Sequence, residues 1–132
     1  MFVRLVAGAA GAAPSGHCDQ GCLVPQLVEG RAAEGSLNFG VYGSDGAQAG
    51  YARLVTDGAT FGWLCDVYIA REARGRGLGT ALARTVVEAV RPLGLKRLIL
   101  VTEDAHAVYA RAGFEAFPDP GELMVLAAPD AR

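Results

Sequence analysis

Between residues 74 and 80 the chain reads Arg74-Gly75-Arg76-Gly77-Leu78-Gly79-Thr80, preceded by strand-forming residues and followed by an amphipathic pattern. A strand that turns through glycines into a helix is a physical recipe for holding phosphate. The first amide groups of a helix have no internal acceptor, and the helix dipole favours an anion beside them. Glycine permits positive φ and lets such a ligand come close to the backbone. Arg74 and Arg76 add charge suited to phosphate oxygens. Two common phosphate loops do not fit. No Gly-Lys-Ser/Thr follows the glycines, which excludes a Walker loop. A dinucleotide fingerprint would place Gly-x-Gly-x-x-Gly near the first strand, whereas these glycines alternate at 75, 77 and 79 after three strands. The plain alternative is a Gly/Arg-rich turn in a glycine-rich chain.

Two carboxylates stand out elsewhere. Asp66 is an acidic residue in an otherwise apolar strand, where burial would raise its pKa and suit it to act as a base or an ammonium anchor; capping a neighbouring loop is an equal alternative. Asp57, next to Thr56 and Gly58, sits at a turn. It either serves turn chemistry or offers a charge to a cationic ligand. His17, Cys18 and Cys22 crowd together, but zinc wants four tetrahedral ligands and no second Cys or His pair lies nearby, so no metal site is expected.

The elements that must position these groups are legible from periodicity. Leu37 to Tyr42 and Ala49 to Thr56 read as an antiparallel hairpin joined at Ser44-Asp45-Gly46. After the Asp57-Gly58 turn, Thr60 to Ile69 reads as a central strand with Leu64, Asp66 and Tyr68 on one face and Cys65, Val67 and Ile69 on the other. Leu78, Leu82, Thr85, Val86, Ala89 and Val90 recur at helical spacing, with Arg84, Glu88 and Arg91 pointing elsewhere, until Pro92 and Gly94 stop the helix. Arg97 to Thr102 is a short apolar run of the kind expected of a parallel strand covered on both faces. Asp104 is placed to cap a short helix through Ala112, with Gly113 as its left-handed terminus. Phe114 to Phe117 and Glu122 to Ala127 are expected as two last strands. Residues 1–30 show no sustained period and are expected to form a divergent, partly disordered segment before a single domain over residues 31–132.

Composition narrows the class. At 132 residues, 52% hydrophobic and 20% charged with a net charge of −2, the chain is expected to be one globular domain with no charge-driven affinity for nucleic acid. No apolar run approaches the roughly 20 residues a membrane helix needs. Residues 1–13 are apolar, but Gly8 and Gly11 break the run and no disulfide framework follows, which speaks against an export signal. Three cysteines, an odd count, suit a reducing cytoplasm.

Two landmarks carry a resemblance to a known family. Arg74, Gly77 and Gly79 fill an Arg-x-x-Gly-x-Gly pattern after the strand Leu64 to Ile69. Downstream, Ala107-Val108-Tyr109-Ala110-Arg111-Ala112-Gly113-Phe114 resembles a helix that carries a tyrosine and ends in Gly-Phe. Together they resemble the GNAT N-acetyltransferase superfamily, and Ser36 to Tyr42, Val55-Thr56-Asp57 and Thr102 to His106 resemble a small bacterial subgroup of unassigned substrate. The resemblance implies an α/β, three-layer fold: a central mixed, mostly antiparallel sheet with splayed parallel strands flanked by helices. It implies acetyl-CoA as cosubstrate, held by Val67, Tyr68, Ile69, Arg74, Gly75, Arg76, Gly77, Leu78, Gly79, Thr80 and Asp104. It implies Tyr109 as general acid for the departing thiolate, with Asp66 as the second catalytic candidate. Thr56, Asp57 and Asp66 would face a small-molecule amine acceptor, and His106, one turn before Tyr109, would look into the same cleft unless it is an ordinary surface histidine. A homodimer is compatible with the family.

The sequence departs from the family in two places. Asp104 stands where many members carry Asn, and residues 1–23 do not read like the opening strand and helices that usually wall the acceptor site. The competing reading is a non-catalytic acyl-CoA sensor or interaction module on the same fold. A nucleotide-binding domain of another fold is the third.

Overall fold

The computed structural model describes the backbone of residues 2–6 and the chain from residue 34 to 129. Five strands form one sheet in the order β1-β2-β3-β4-β5, namely β1 (Phe2–Val6), β2 (Leu37–Tyr42), β3 (Gln48–Thr56), β4 (Phe61–Ile69) and β5 (Arg97–Leu100). Every neighbouring pair is antiparallel except β4 and β5. Helix α1 (Leu78–Val90) follows β4, and the short helix α2 (His106–Ala110) follows β5. This is the expected mixed, mostly antiparallel sheet. The rest of the opening segment, residues 7–33, with His17, Cys18 and Cys22, lies outside the described residues.

Alternation along the strands decides what is buried. Phe39 and Val41 of β2, Ala52 and Leu54 of β3 and Leu64 of β4 meet Leu82, Val86 and Val90 of α1 in one core. Because paired residues share a face, the row Leu37, Leu54, Leu64 and Leu100 runs across four strands on the side of the helix. The next row, Asn38, Arg53 and Cys65, points the other way. Helix α1 behaves as its periodicity predicts, with Leu82, Ala83, Val86 and Val90 buried while Arg84, Glu88 and Arg91 face solvent. Glu88 and Arg91 pair at 2.7 Å, but both are about two-thirds exposed, and such pairs contribute little. The helix ends in a 3-10 turn at Arg91–Leu93, closed by Gly94 at φ 64°.

Several sequence expectations are corrected. Phe2–Val6 is a strand, paired along its length with Tyr42 to Asn38, although its residues show no long-range pattern; its partner strand supplies what periodicity lacks. In β4 one extra residue intrudes: Arg53 lies opposite Cys65 and Tyr51 opposite Tyr68, so Asp66 and Val67 share one partner position. Asp66 adopts φ 51°, the one non-glycine positive φ among the described residues. The expected alternation Leu64, Asp66, Tyr68 therefore ends at a bulge. Strand β5 stops at Leu100 and is an edge strand with half-exposed side chains, since it has a neighbour on one side only. Neither Phe114 to Phe117 nor Glu122 to Ala127 forms a strand. Pro120–Glu122 is a 3-10 turn, and Leu123, Met124, Val125 and Leu126 are exposed. Their composition favours extended backbone, but a strand also needs a hydrogen-bonding partner. Asp104 does not cap α2; the Thr102 hydroxyl accepts the Ala105 amide at 3.0 Å instead. Gly113, at φ 100°, ends the segment as expected.

Gly50 sits where β3 passes closest to the end of β4. A Cβ there would lie 2.8 Å from Ile69 Cδ1 and 2.9 Å from the Tyr68 carbonyl oxygen. Gly50→Ala is therefore expected to lower unfolding free energy by about 1–3 kcal/mol through overpacking, measured by urea denaturation.

Candidate active site

Strand β4 is paired with β5 only from Phe61 to Leu64, which lie opposite Arg97 to Leu100. From Cys65 to Ile69 it continues along β3 with no β5 residue beside it. The parting leaves a gap on one edge of β4, which from Cys65 to Ile69 has β3 on its other side only, and the Ile69 carbonyl is taken by the Arg74 side chain. Beyond Ile69 the chain makes a single 3-10 turn, Arg71–Ala73, and enters the glycine turn. Gly75 and Gly77 take φ 81° and 74°, and Gly77 is the N-cap of α1. The first backbone acceptor inside the helix, Gly77 O, is taken by the Ala81 amide at 3.1 Å, so the amides of Leu78, Gly79 and Thr80 precede any intrahelical bond. No acidic residue lies in that first turn. This helix terminus, with its first amides free of intrahelical acceptors, follows the part of β4 that has left β5.

The two arginines of the turn have different surroundings. Arg74 folds back: its Nε donates to the Ile69 carbonyl at 2.9 Å, and its guanidinium lies 5.7 Å from the centre of the Tyr68 ring. It borders the gap. Arg76 is exposed and has no protein partner among the described residues, leaving its charge available beside the amides.

Helix α2 is fastened to the first turns of α1. The Thr80 hydroxyl donates to the Val108 carbonyl at 3.1 Å, and Arg84 donates from Nε and Nη2 to the Arg111 carbonyl at 3.2 and 3.0 Å. Gly79 permits the contact, since a Cβ there would lie 3.2 Å from Val108 Cγ1. Glycine at 79 thus serves helix packing, whereas Gly75 and Gly77 serve backbone conformation. The docking brings Tyr109 against the core, where its ring meets Phe114 edge-on at a centroid distance of 5.9 Å. Burial pushes the Tyr109 phenol above its ordinary pKa, so it keeps its proton at neutral pH. Asp104 and His106 are exposed at the start of this segment.

Asp66 is not buried, contrary to the sequence expectation. Its side chain is 42% exposed and accepts the Arg53 Nε at 2.8 Å. The bulge turns it out of the apolar strand and towards the face that carries Arg53. The pair occupies Oδ2 of the carboxylate. Burial opposes the charge on Arg53, but the bond to Asp66 and the proximity of Cys65 outweigh it, and the guanidinium pKa is raised. For Cys65 burial dominates and raises the thiol pKa.

Thr56 and Asp57 belong to a different place. The Asp57 carboxylate accepts the amides of Ala59, Thr60 and Phe61 and the Thr60 hydroxyl. Thr56 Oγ1 donates to the Phe61 carbonyl and accepts the Gly58 amide. A cavity of about 440 Å³ lies among Glu34 to Leu37, Thr56 to Gly58 and Leu93. Thr56 is opposite Gly62, four residues from Asp66 along β4, or roughly 13 Å at about 3.3 Å per residue. The structure places Val67 to Ile69 on the part of β4 beyond its pairing with β5, with the turn 74–80 following in the chain and Tyr109 held on the helix docked against the start of α1. It puts Thr56 and Asp57 at the opposite end of β4. Sequence reasoning passed over Arg53, Ser36 and Asn38, whose pairing depends on strand register; the one signal was a charged Arg53 between apolar Ala52 and Leu54. No group of three or more possible metal ligands occurs among the described residues, and no helix there is long and apolar enough to cross a membrane.

Comparison with known proteins agrees with this geometry. Residues 14–114 match the profile of the acetyltransferase (GNAT) family. A protein of Gibberella zeae named for acetyltransferase activity is 38% identical over 65 residues, spanning 48% of this chain and 37% of that protein. One of Oryza sativa subsp. japonica, named as a glucosamine 6-phosphate N-acetyltransferase, is 36% identical over 63 residues, 47% of this chain and 38% of its own. These matches span little more than a third of the curated relatives. A solved structure from Xanthomonas campestris pv. campestris, assigned as an acetyltransferase to the GNAT family, is 42% identical with a TM-score of 0.72, covering 80% of this chain and 74% of that one. A structure from Deinococcus radiodurans R1, at 19% identity and a TM-score of 0.72, covers 95% and 87% and shares the fold.

The environment of Asp57 yields a pH test. Hydrogen bonds from Thr60, first through its hydroxyl and then its amide, and from Ala59 and Phe61 hold its carboxyl well below the usual carboxylate range. A depressed folded pKa contributes stability that is complete above the unfolded value near 4 and is lost as pH falls towards the folded value. The melting temperature of the parent should exceed that of Asp57→Asn at pH 7, and the difference should shrink as pH is lowered below about 4. A difference independent of pH would detach the carboxylate from the turn.

Proposed function

Starting from a chain that belongs to the GNAT acetyltransferase family, we propose that it transfers an acetyl group from acetyl-CoA to a small-molecule amine by direct attack on the thioester. The observation that carries this reading is the coincidence, at one end of β4, of an unpaired strand edge and a helix terminus with free amides. Acetyl-CoA supplies an activated acetyl group, and attack by an amine needs no covalent enzyme intermediate, only positioning and proton management. The amides of Leu78, Gly79 and Thr80, with Gly75, Gly77 and the charge of Arg76, would hold its pyrophosphate. The unpaired edge at Val67, Tyr68 and Ile69, bordered by Arg74, would take the pantetheine amides as a further strand takes its neighbour. Asp104, exposed just before α2, is the remaining candidate contact.

Tyr109 is assigned the acid role. In the transfer the amine nitrogen bonds to the acetyl carbon, the carbon–sulfur bond breaks, and the departing thiolate takes a proton. A phenol that stays protonated at neutral pH is suited to give it, and solvent then restores the phenol. Asp66 would hold the ammonium form of the acceptor, which loses protons to solvent on its way to the amide. The amino sugar in the name of the Oryza sativa relative supports an amine as acceptor class. With Asp57 committed to its turn, the case for a cationic amine rests on Asp66. Acetyl transfer separates this reading from a non-catalytic sensor, which would bind the coenzyme without releasing thiol. A cytoplasmic setting suits the coenzyme.

Two results are expected. Acetyl-CoA at about 100 times its Kd should stabilise the parent by about 2.7 kcal/mol, seen as a rise in melting temperature. Gly77→Val, which strains a backbone at φ 74°, should remove most of that rise. An undiminished rise would move the coenzyme elsewhere. Tyr109→Phe should lower kcat by about 10- to 10⁴-fold with coenzyme affinity nearly intact; unchanged turnover in a thiol-release assay would return Tyr109 to a packing role.

A further inference from the structure

The polar side chains on the sheet face turned away from α1 form one connected chain that ends at the bulge. Tyr51 donates its hydroxyl to the Asn38 side-chain oxygen in the buried interior, and Asn38 Nδ2 donates to the Ser36 carbonyl at 3.2 Å. Ser36 Oγ accepts Arg53 Nη1 at 3.1 Å, and Arg53 Nε reaches Asp66 Oδ2 at 2.8 Å. The neighbours of Arg53 in β3, Ala52 and Leu54, are in the core beneath α1, so the guanidinium and the carboxylate it holds lie on the opposite face. Helix α1 and its free amides are on one side of the sheet; Asp66 is on the other, at the point where β4 has just left β5. A molecule anchored at the glycine turn and threaded through the gap would present its far end towards Asp66.

We propose that Arg53 is a positioning residue for the acceptor: gripped by Ser36, it fixes Asp66 through Oδ2 and leaves Oδ1 to engage an ammonium group, which selects cationic over neutral amines. This rests on the acetyl-transfer reading above. Two features argue for a carboxylate held for a cation and against an anion site on Arg53 itself. The Arg53 side chain is 18% exposed and two of its nitrogens are already engaged, whereas Asp66 is 42% exposed and no described residue bonds Oδ1. Asp66 also holds a positive φ that a glycine would adopt more readily. Strained backbone of this kind tends to collect at ligand sites, and here it falls at the register shift of β3 against β4.

The test uses the full chain, acetyl-CoA, the cationic amine tyramine and the neutral amine 4-methoxyaniline, with thiol release as readout. Arg53→Met should raise KM for tyramine by about 10- to 100-fold, leave kcat within about threefold, and leave both KM for the neutral amine and the acetyl-CoA-induced melting shift unchanged. Arg53→Lys should recover part of the loss, and Arg53→Met/Asp66→Asn should be no worse than Asp66→Asn alone. An unchanged tyramine KM in Arg53→Met, an equal loss with both amines, or additive effects in the double variant would overturn the proposal. So would a parent with an intact acetyl-CoA shift that turns over only the neutral amine, or neither. A parent without that shift would instead remove the acetyl-transfer reading on which the proposal stands. Should Arg53→Met fail to fold, Ser36→Ala removes the hydroxyl that accepts Arg53 Nη1 and should raise the tyramine KM in the same selective way; no rise there also overturns the proposal.

Discussion

The arrangement depends on the length of the β4/β5 ladder. Four residues of parallel pairing hold the two strands together, and then β4 goes on alone with β3. Had β5 followed β4 to Ile69, the strand edge at Val67 to Ile69 would be satisfied by backbone and closed to any ligand. The bulge at Asp66 falls two residues beyond Leu64, the last residue of β4 paired with β5, so the local twist increases close to where the strands part. The same irregularity that opens the edge also turns a carboxylate out of an apolar strand. One geometric event thus produces both walls of the candidate site.

The helix terminus proposed to hold an anion is built mainly from backbone. A net charge of −2 over the chain provides no broad positive field, so attraction must come from the helix terminus and the nearest arginine. Backbone amides in a fixed first turn need no reorganisation to meet an anion, provided the turn itself is held. Thr80 and Arg84 hold it, by hydrogen bonds to carbonyls at 108 and 111 that bind α2 to α1. The clamp therefore does two things together: it steadies the amides and it fixes the distance of Tyr109 from them. Arg84 is exposed and far along the chain from Arg111, yet its two bonds satisfy a carbonyl that the end of α2 leaves open.

The two faces of the sheet have been given different chemistry. Beneath α1 the rows are apolar and close-packed, with Phe39, Val41, Leu54, Leu82 and Val86 essentially sealed from water. On the far face a buried asparagine and tyrosine bond one another, and the chain of donors and acceptors passes through Ser36 to Arg53 and Asp66. A buried polar group is costly unless paired, and no buried side-chain nitrogen or oxygen among the described residues lacks a partner. A fully bonded network of this sort holds its members to one geometry, which a site for a small charged ligand requires.

Local pattern was enough for much of this. The glycine turn, the amphipathic helix after it, the β2/β3 hairpin and the Tyr109 to Gly113 segment were all legible, because each is a short-range signal: helical spacing, a turn residue, a φ that only glycine takes easily. The family resemblance rested on those same segments, and the helix terminus stands where they put it. What local pattern could not supply was anything decided by a neighbour across the sheet. Phe2–Val6 becomes a strand because β2 pairs with it, and Glu122 to Ala127 does not because no strand lies beside it. Asp104 does not cap α2; Ala105 stands at its N-cap, with its amide bonded to the Thr102 hydroxyl. The placement of Asp66 differs most from expectation. Its strand context suggested burial, but a one-residue bulge reverses which face a side chain meets, and only the register of β3 against β4 shows that Arg53 awaits it there. Sequence determined which residues could bind and react; the pairing of distant strands decided which of them meet.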